Sequence, residues 1–135
     1  MDVSRSLCVL VVDDDSSIRK LLVAVLRREG YRMVQARNGR EALVEMRAGC
    51  TDLVIMDLVM PEVSGWQVLE ERLADPALLR IPVIVVSASN TVKVAARVLD
   101  QNVFAVISKP FDLHVLLEAV TSCLARPDLP SLAAA

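Results

Sequence analysis

Short, largely apolar runs that stop at a charged or hydroxyl-bearing residue recur along this chain and constrain its fold more than any other feature. Leu7–Val12 stops at Asp13-Asp14-Asp15, Leu53–Met56 at Asp57, Val83–Val86 at Ser87 and Ala105–Ser108 at Lys109-Pro110. The runs are too short for core helices and offer no polar alternate face, so they read as strands buried on both sides, the pattern of a parallel sheet. Tyr31–Ala36 supplies a further short strand. Between the strands the apolar residues change to helical spacing. Ser16–Glu29 carries Ile18, Leu21, Leu22, Val25 and Leu26 as its stripe, and Asn38–Ala48 carries Ala42, Leu43 and Met46. Trp66–Ala74, Thr91–Gln101 and Leu113–Ala125 complete the helices. Asp15 or Ser16 can cap the first helix, and Gly30 and Gly49 follow the first two as natural stops.

Strand followed by helix, five times over with short connections, implies right-handed crossovers, one parallel sheet and helices on both of its faces. A length of 135 residues suits one domain, read as 1–126, with 127–135 as a short tail beginning at Pro127. Fifteen Lys and Arg against 17 Asp and Glu leave a net charge of −2, which argues against a nucleic-acid surface. A hydrophobic fraction of 54% excludes general disorder, and with only 3% aromatics the core must be aliphatic. Cys8, Cys50 and Cys123 are widely spaced with no C-x-x-C, which predicts reduced thiols rather than a disulfide framework or zinc site. No apolar run approaches the ~20 residues of a membrane span, and the first residues do not form a leader, so a cytoplasmic domain with no membrane partner is expected.

Ligands of an open parallel sheet bind beyond the carboxyl ends of its strands. That edge should gather Asp13, Asp14, Asp57, Ser87 and Lys109. Clustered carboxylates stay ionised together only beside a cation. Few, hard, solvent-open oxygen donors suit Mg²⁺ with retained waters. A metal, a lysine and a hydroxyl around one carboxylate form a site for a transferred phosphoryl group.

At Val11-Val12-Asp13-Asp14, Met56-Asp57, Met60-Pro61, Gly65, Ser87-Ala88 and Lys109-Pro110-Phe111 the chain resembles the receiver domains of two-component response regulators, over roughly Leu7 to Leu124. The resemblance implies a flavodoxin-like sheet of order 2-1-3-4-5 and a cis Lys109-Pro110 bond. It implies Asp57 as phosphoacceptor, supplied by a histidine of a sensor kinase or of a phosphotransfer protein. It further implies Asp14 as the direct Mg²⁺ ligand, Asp13 acting through water, the Val59 carbonyl as a further ligand, and Ser87 and Lys109 holding phosphoryl oxygens.

Some positions depart from the family pattern. Ser64 precedes the glycine where an acidic or amide residue is common, and Asn102-Val103 replaces Gly-Ala. Val106 stands where a Tyr or Phe usually turns inward as the Ser/Thr moves, and Phe104, two residues earlier, is a candidate replacement. The resemblance makes Ser87 and Val106 the switch residues, with a valine that is stiff at χ1 and has no ring in place of the family's aromatic. Asp15 reads as a helix cap, His114 as a surface residue, Trp66 as a packing residue and Arg27-Arg28 as a solvated helix end.

The output face implied is the Thr91–Gln101 helix with the last strand and helix, through Val94, Val98, Val115 and Ala119. It would engage a downstream protein partner or a second copy. The resulting expectation is a phosphorylation-dependent switch, not an enzyme acting on other substrates. One alternative is a receiver domain belonging to a larger regulator or hybrid kinase. An aspartyl-nucleophile phosphatase would want a second Asp where Val59 stands, and a flavodoxin-like cofactor binder would want a phosphate-cradling loop in place of Asp13-Asp14-Asp15.

Overall fold

The structure, a computed structural model, describes residues 6–88 and 102–125. The helix expected at Thr91–Gln101, with Val94 and Val98, lies outside the described residues, as does the tail 127–135.

Five strands, β1 (Cys8–Val12), β2 (Arg32–Ala36), β3 (Leu53–Met56), β4 (Val83–Ser87) and β5 (Ala105–Ser108), form one parallel sheet of order β2-β1-β3-β4-β5. Three further elements match the helical periodicities closely: α1 (Ser16–Arg28), α2 (Gly39–Arg47) and α3 (Gly65–Ala74). A single turn, α4 (Pro76–Leu79), is not signalled by periodicity and is set by Asp75, whose carboxylate caps it, and by Pro76 at its first position. The last helix is α5 (Leu113–Leu124).

Each helix starts where a side chain satisfies its free N–H groups. Asp15 accepts from the N–H groups of Ser17 and Ile18, Asn38 from Glu41, and Asp112 from His114, while Ser64 and Gln67 form a reciprocal capping box. Gly30 and Gly49 leave α1 and α2 at φ +98° and +88°, a region glycine enters without a Cβ clash.

Alternate strand residues sort into two cores, one on each sheet face. Leu10, Val12, Val54, Met56, Val83 and Val85 pack with α2, α3 and α4 through Ala42, Leu43, Met46, Val68, Leu69 and Leu78. Val9, Val11, Leu53, Ile55, Ile84 and Val86 pack with α1 and α5 through Leu22, Leu26, Leu116, Val120 and Cys123. Cys8 and Cys123 are buried and Cys50 is exposed, none of the three in a disulfide.

The buried face of α1 is turned from its expected stripe. Leu21 is 48% exposed, while Arg19 and Val23 join Leu22 and Leu26 inside. The rotation follows Arg19, whose guanidinium reaches inward to the end of β1 and across to β2. Phe104 does not share the face of Val106. It precedes β5 and packs with the α1/α5 core, whereas Val106 packs with the α2/α3 core, so Phe104 does not replace the missing ring.

Candidate functional site

The carboxyl edge of the sheet is closed by backbone bonds that step from strand to strand. The Asp13 N–H donates to the Ala36 carbonyl (3.2 Å), the Asp57 N–H to Val12 (3.0 Å) and the Lys109 N–H to Ser87 (2.9 Å). Asp13, Asp57 and Ser87 are buried there, at 4%, 7% and 2% exposure, and Asp14 is exposed.

Asp13, Asp14 and Asp57 each present a carboxylate oxygen to one small volume, all three within 4.8 Å of one another. The Lys109 ammonium joins two of them, at 2.8 Å from Asp13 Oδ2 and 3.0 Å from Asp57 Oδ2. Burial alone would lower the lysine pKa. The hydrogen bonds and charges of Asp13 and Asp57 outweigh that and hold it above the ordinary value, so Lys109 is cationic at neutral pH. The remaining oxygens are occupied by backbone donors, Asp13 Oδ1 by the Asp15 N–H (2.9 Å) and Asp57 Oδ1 by the Val59 N–H (3.2 Å). An all-oxygen donor set, partly open to solvent and carrying three formal negative charges against one lysine, fits a hard divalent cation of the Mg²⁺ type.

The loop after β3 is seated by Gly65. Its N–H donates to the Leu58 carbonyl at 3.0 Å, and a Cβ there would collide with the Asp57 carbonyl oxygen. Val59 is 63% exposed beside the acids, and the Lys109-Pro110 bond is cis. On α5, Val115 is 49% exposed while Ala119 is half-buried against the α1/α5 core. Asp15 is a cap, His114 is exposed, and Trp66 packs against the α2/α3 core.

Two arginines, Arg19 and Arg72, are buried where helical arginines ordinarily face solvent. Arg19 lies on α1 with its Nη1 donating to the Asp13 carbonyl and its Nε to Gln35 Oε1 at 3.2 Å. Arg72 on α3 is 2% exposed and donates to the carbonyls of Ile81 and Asn102, each at 3.0 Å. Burial pushes its guanidinium down to about 10, still charged at neutral pH. The available signal was a basic residue inside an i, i+3, i+4 stripe: Arg19 with Leu22 and Val23, Arg72 with Val68 and Leu69.

Among known families, residues 9–121 match the response regulator receiver domain. The CAI-1 autoinducer sensor kinase/phosphatase CqsS of Vibrio cholerae is 37% identical over 84% of this chain and 17% of its own. The transcriptional regulatory protein GlrR of Escherichia coli is 37% identical over 86% of this chain and 26% of its own. The chain thus spans about a quarter or less of the length of these curated relatives. A response regulator receiver protein from Pseudomonas putida superposes with TM-score 0.82 at 32% identity, over 89% of this chain and 99% of that one. The chemotaxis protein CheY4 of Vibrio cholerae shares the fold, with TM-score 0.81 at 24% identity over 88% of this chain and 99% of that one.

Proposed function

The chain belongs to the response regulator receiver domain family, and on that premise we propose that it is a phosphorylation-dependent signalling switch whose acceptor is Asp57. A phosphoryl group passes from a histidine nitrogen of a sensor kinase, or of a phosphotransfer protein, to a carboxylate oxygen of Asp57. The P–N bond breaks as the P–O bond forms. The observation that carries this reading is the carboxylate cluster itself, three oxygens within 4.8 Å with Lys109 bonded to Asp13 and Asp57.

In this reading Asp14, Asp57 and the Val59 carbonyl hold Mg²⁺, with Asp13 acting through water. When bound, the cation offsets charge on the phosphoryl oxygens. Lys109 and Ser87 take the remaining oxygens. Such transfer needs mainly positioning and charge neutralisation, which fixed groups on a sheet edge supply. The domain catalyses only its own phosphorylation and dephosphorylation, in the cytoplasm, and touches neither nucleic acid nor membrane. Among the described residues no helix is long and apolar enough to cross a bilayer.

The signal leaves through β5, α5 and the 91–101 segment, toward a protein partner or a second copy, with Val94, Val98, Val115 and Ala119 as the contact surface. The length of the curated relatives supports a second setting for the same chemistry, as the receiver module of a larger regulator or hybrid kinase. The test is intact mass after acetyl phosphate treatment, with and without Mg²⁺. Wild type should gain one phosphoryl group only with the metal, and Asp57→Asn should gain none. A stoichiometric adduct on the Asn variant would overturn the assignment.

A further inference from the structure

Arg19 is the charged side chain closest in bonding to the acidic edge that the proposed chemistry leaves unused. It is 9% exposed. A guanidinium carries five donors and no acceptor, so its burial must be matched by oxygens placed to receive it. Two of those oxygens are the Asp13 carbonyl and Gln35 Oε1. Gln35 sits on β2 directly beside Val11 of β1, so the guanidinium bridges α1, β1 and β2 at the point where β1 ends.

The Asp13 carbonyl is half of the peptide bond that joins Asp13 to Asp14. That unit is planar, so holding its oxygen also fixes the direction in which the Asp14 Cα leaves. Asp13 itself is secured elsewhere, through its N–H to Ala36 and through both carboxylate oxygens to Asp15 and Lys109. Asp14 is exposed, so its placement depends on the backbone that carries it rather than on packing around its side chain.

We propose that Arg19, braced by Gln35, is a positioning residue of the acidic edge: it fixes the 13–14 peptide and thereby aims the Asp14 carboxylate at the cation site. This rests on the reading that the edge holds Mg²⁺. Three roles for Arg19 differ in the sign of one measurement. Positioning predicts that losing the side chain weakens Mg²⁺ binding. A through-space charge effect predicts tighter binding, because a nearby cation would have been removed. A tether between helix and sheet predicts a lower melting temperature with unchanged Mg²⁺ affinity.

The experiment titrates Mg²⁺ alone into the full chain, follows the amide shifts of residues at the edge, and records thermal midpoints in EDTA. Arg19→Met should weaken Mg²⁺ by roughly 10-fold, the lower end for groups that orient a metal ligand. Arg19→Lys keeps the charge but loses the planar fork, and should fall between wild type and Met. Gln35→Leu removes only the brace, at an exposed position, and should weaken binding several-fold. In an Asp14→Asn background the Arg19→Met change should add little, because the group it aims is gone. Unchanged or tighter Mg²⁺ binding in Arg19→Met, or the same fold-loss in the Asp14→Asn background, overturns the proposal. Should Arg19→Met fail to fold, Gln35→Leu decides: weaker binding supports the proposal and unchanged affinity overturns it. Wild type that binds no Mg²⁺ overturns the metal reading as well, and that result is distinct from a wild type that binds while the variants do not differ.

Discussion

Every residue of β1 and β3 is buried, whereas none of β5 is fully so, although all three strands deliver a charged residue to one edge. The cause is position. β1 and β3 have a strand on either side, while β5 is at the end of the sheet with β4 as its one neighbour. The carboxylates of Asp13 and Asp57 therefore stand at the ends of two wholly buried strands, and their countercharge, Lys109, is presented from a partly buried edge strand. Groups that repel one another need a frame that holds them against that repulsion. A lysine on a long stem can adjust to whichever charge the frame carries, as the proposed phosphoryl transfer at this edge would require.

The difference in burial between β3 and β5 should show most strongly in stability. Ile55 on β3 is 2% exposed, and Ile55→Ala should cost about 2–5 kcal/mol in urea denaturation. Ile107 on β5 is only partly buried, so Ile107→Ala should cost about 1–2 kcal/mol. Equal losses would show that the two regions are equally well packed.

Removing the countercharge should have the next largest effect. Lys109→Met leaves two buried carboxylates without their ammonium, and should lower stability by about 1–3 kcal/mol in EDTA. Mg²⁺ should then raise its melting temperature more than that of wild type. The pH dependence has a definite sign. The folded pKa of Lys109 is raised, so its contribution is fully present below the ordinary lysine value of 10.5 and is lost as pH rises through the folded value. The gap between wild type and Lys109→Met in urea should therefore be constant across neutral pH and close only in strong alkali. A gap that closes near neutrality would contradict the pairing.

A smaller change is expected at Val59, exposed beside Asp57, where valine offers a water no hydrogen bond. Val59→Asn should speed loss of the phosphoryl group several-fold, measured by intact mass over time, and leave stability within about 0.5 kcal/mol. An unchanged or slower loss would count against water alignment there. Smallest in stability, again within about 0.5 kcal/mol, is Val115→Glu on α5. Phosphorylation should be intact, and phosphorylation-dependent association, followed by sedimentation, should be lost. Association equal to wild type would place the output surface elsewhere.

Strand ends were legible because burial on both faces forces a continuous apolar run, and the first polar residue after it marks the edge. Asp13, Asp57 and Ser87 are found this way, Lys109 follows Ser108 at the end of the partly buried β5, and Ala42, Leu43 and Met46 were likewise readable as the inner face of α2. The face of α1 was less so. An arginine in a helix ordinarily points to solvent, and Arg19 departs from that because oxygens distant in sequence receive it.

Local spacing and the residues that can end a buried strand were enough to specify the five strands, helices α1, α2, α3 and α5, the two-sided sheet, the Asp15 cap of α1 and the charged edge. Only the tertiary structure decided which of those charges meet, that Lys109 bonds both Asp13 and Asp57, that Phe104 and Val106 face opposite cores, and that Arg19 and Arg72 turn inward. These depend on contacts between residues as far apart as 13 and 109. Such contacts are set by strand register and packing, which leave no local pattern in the chain.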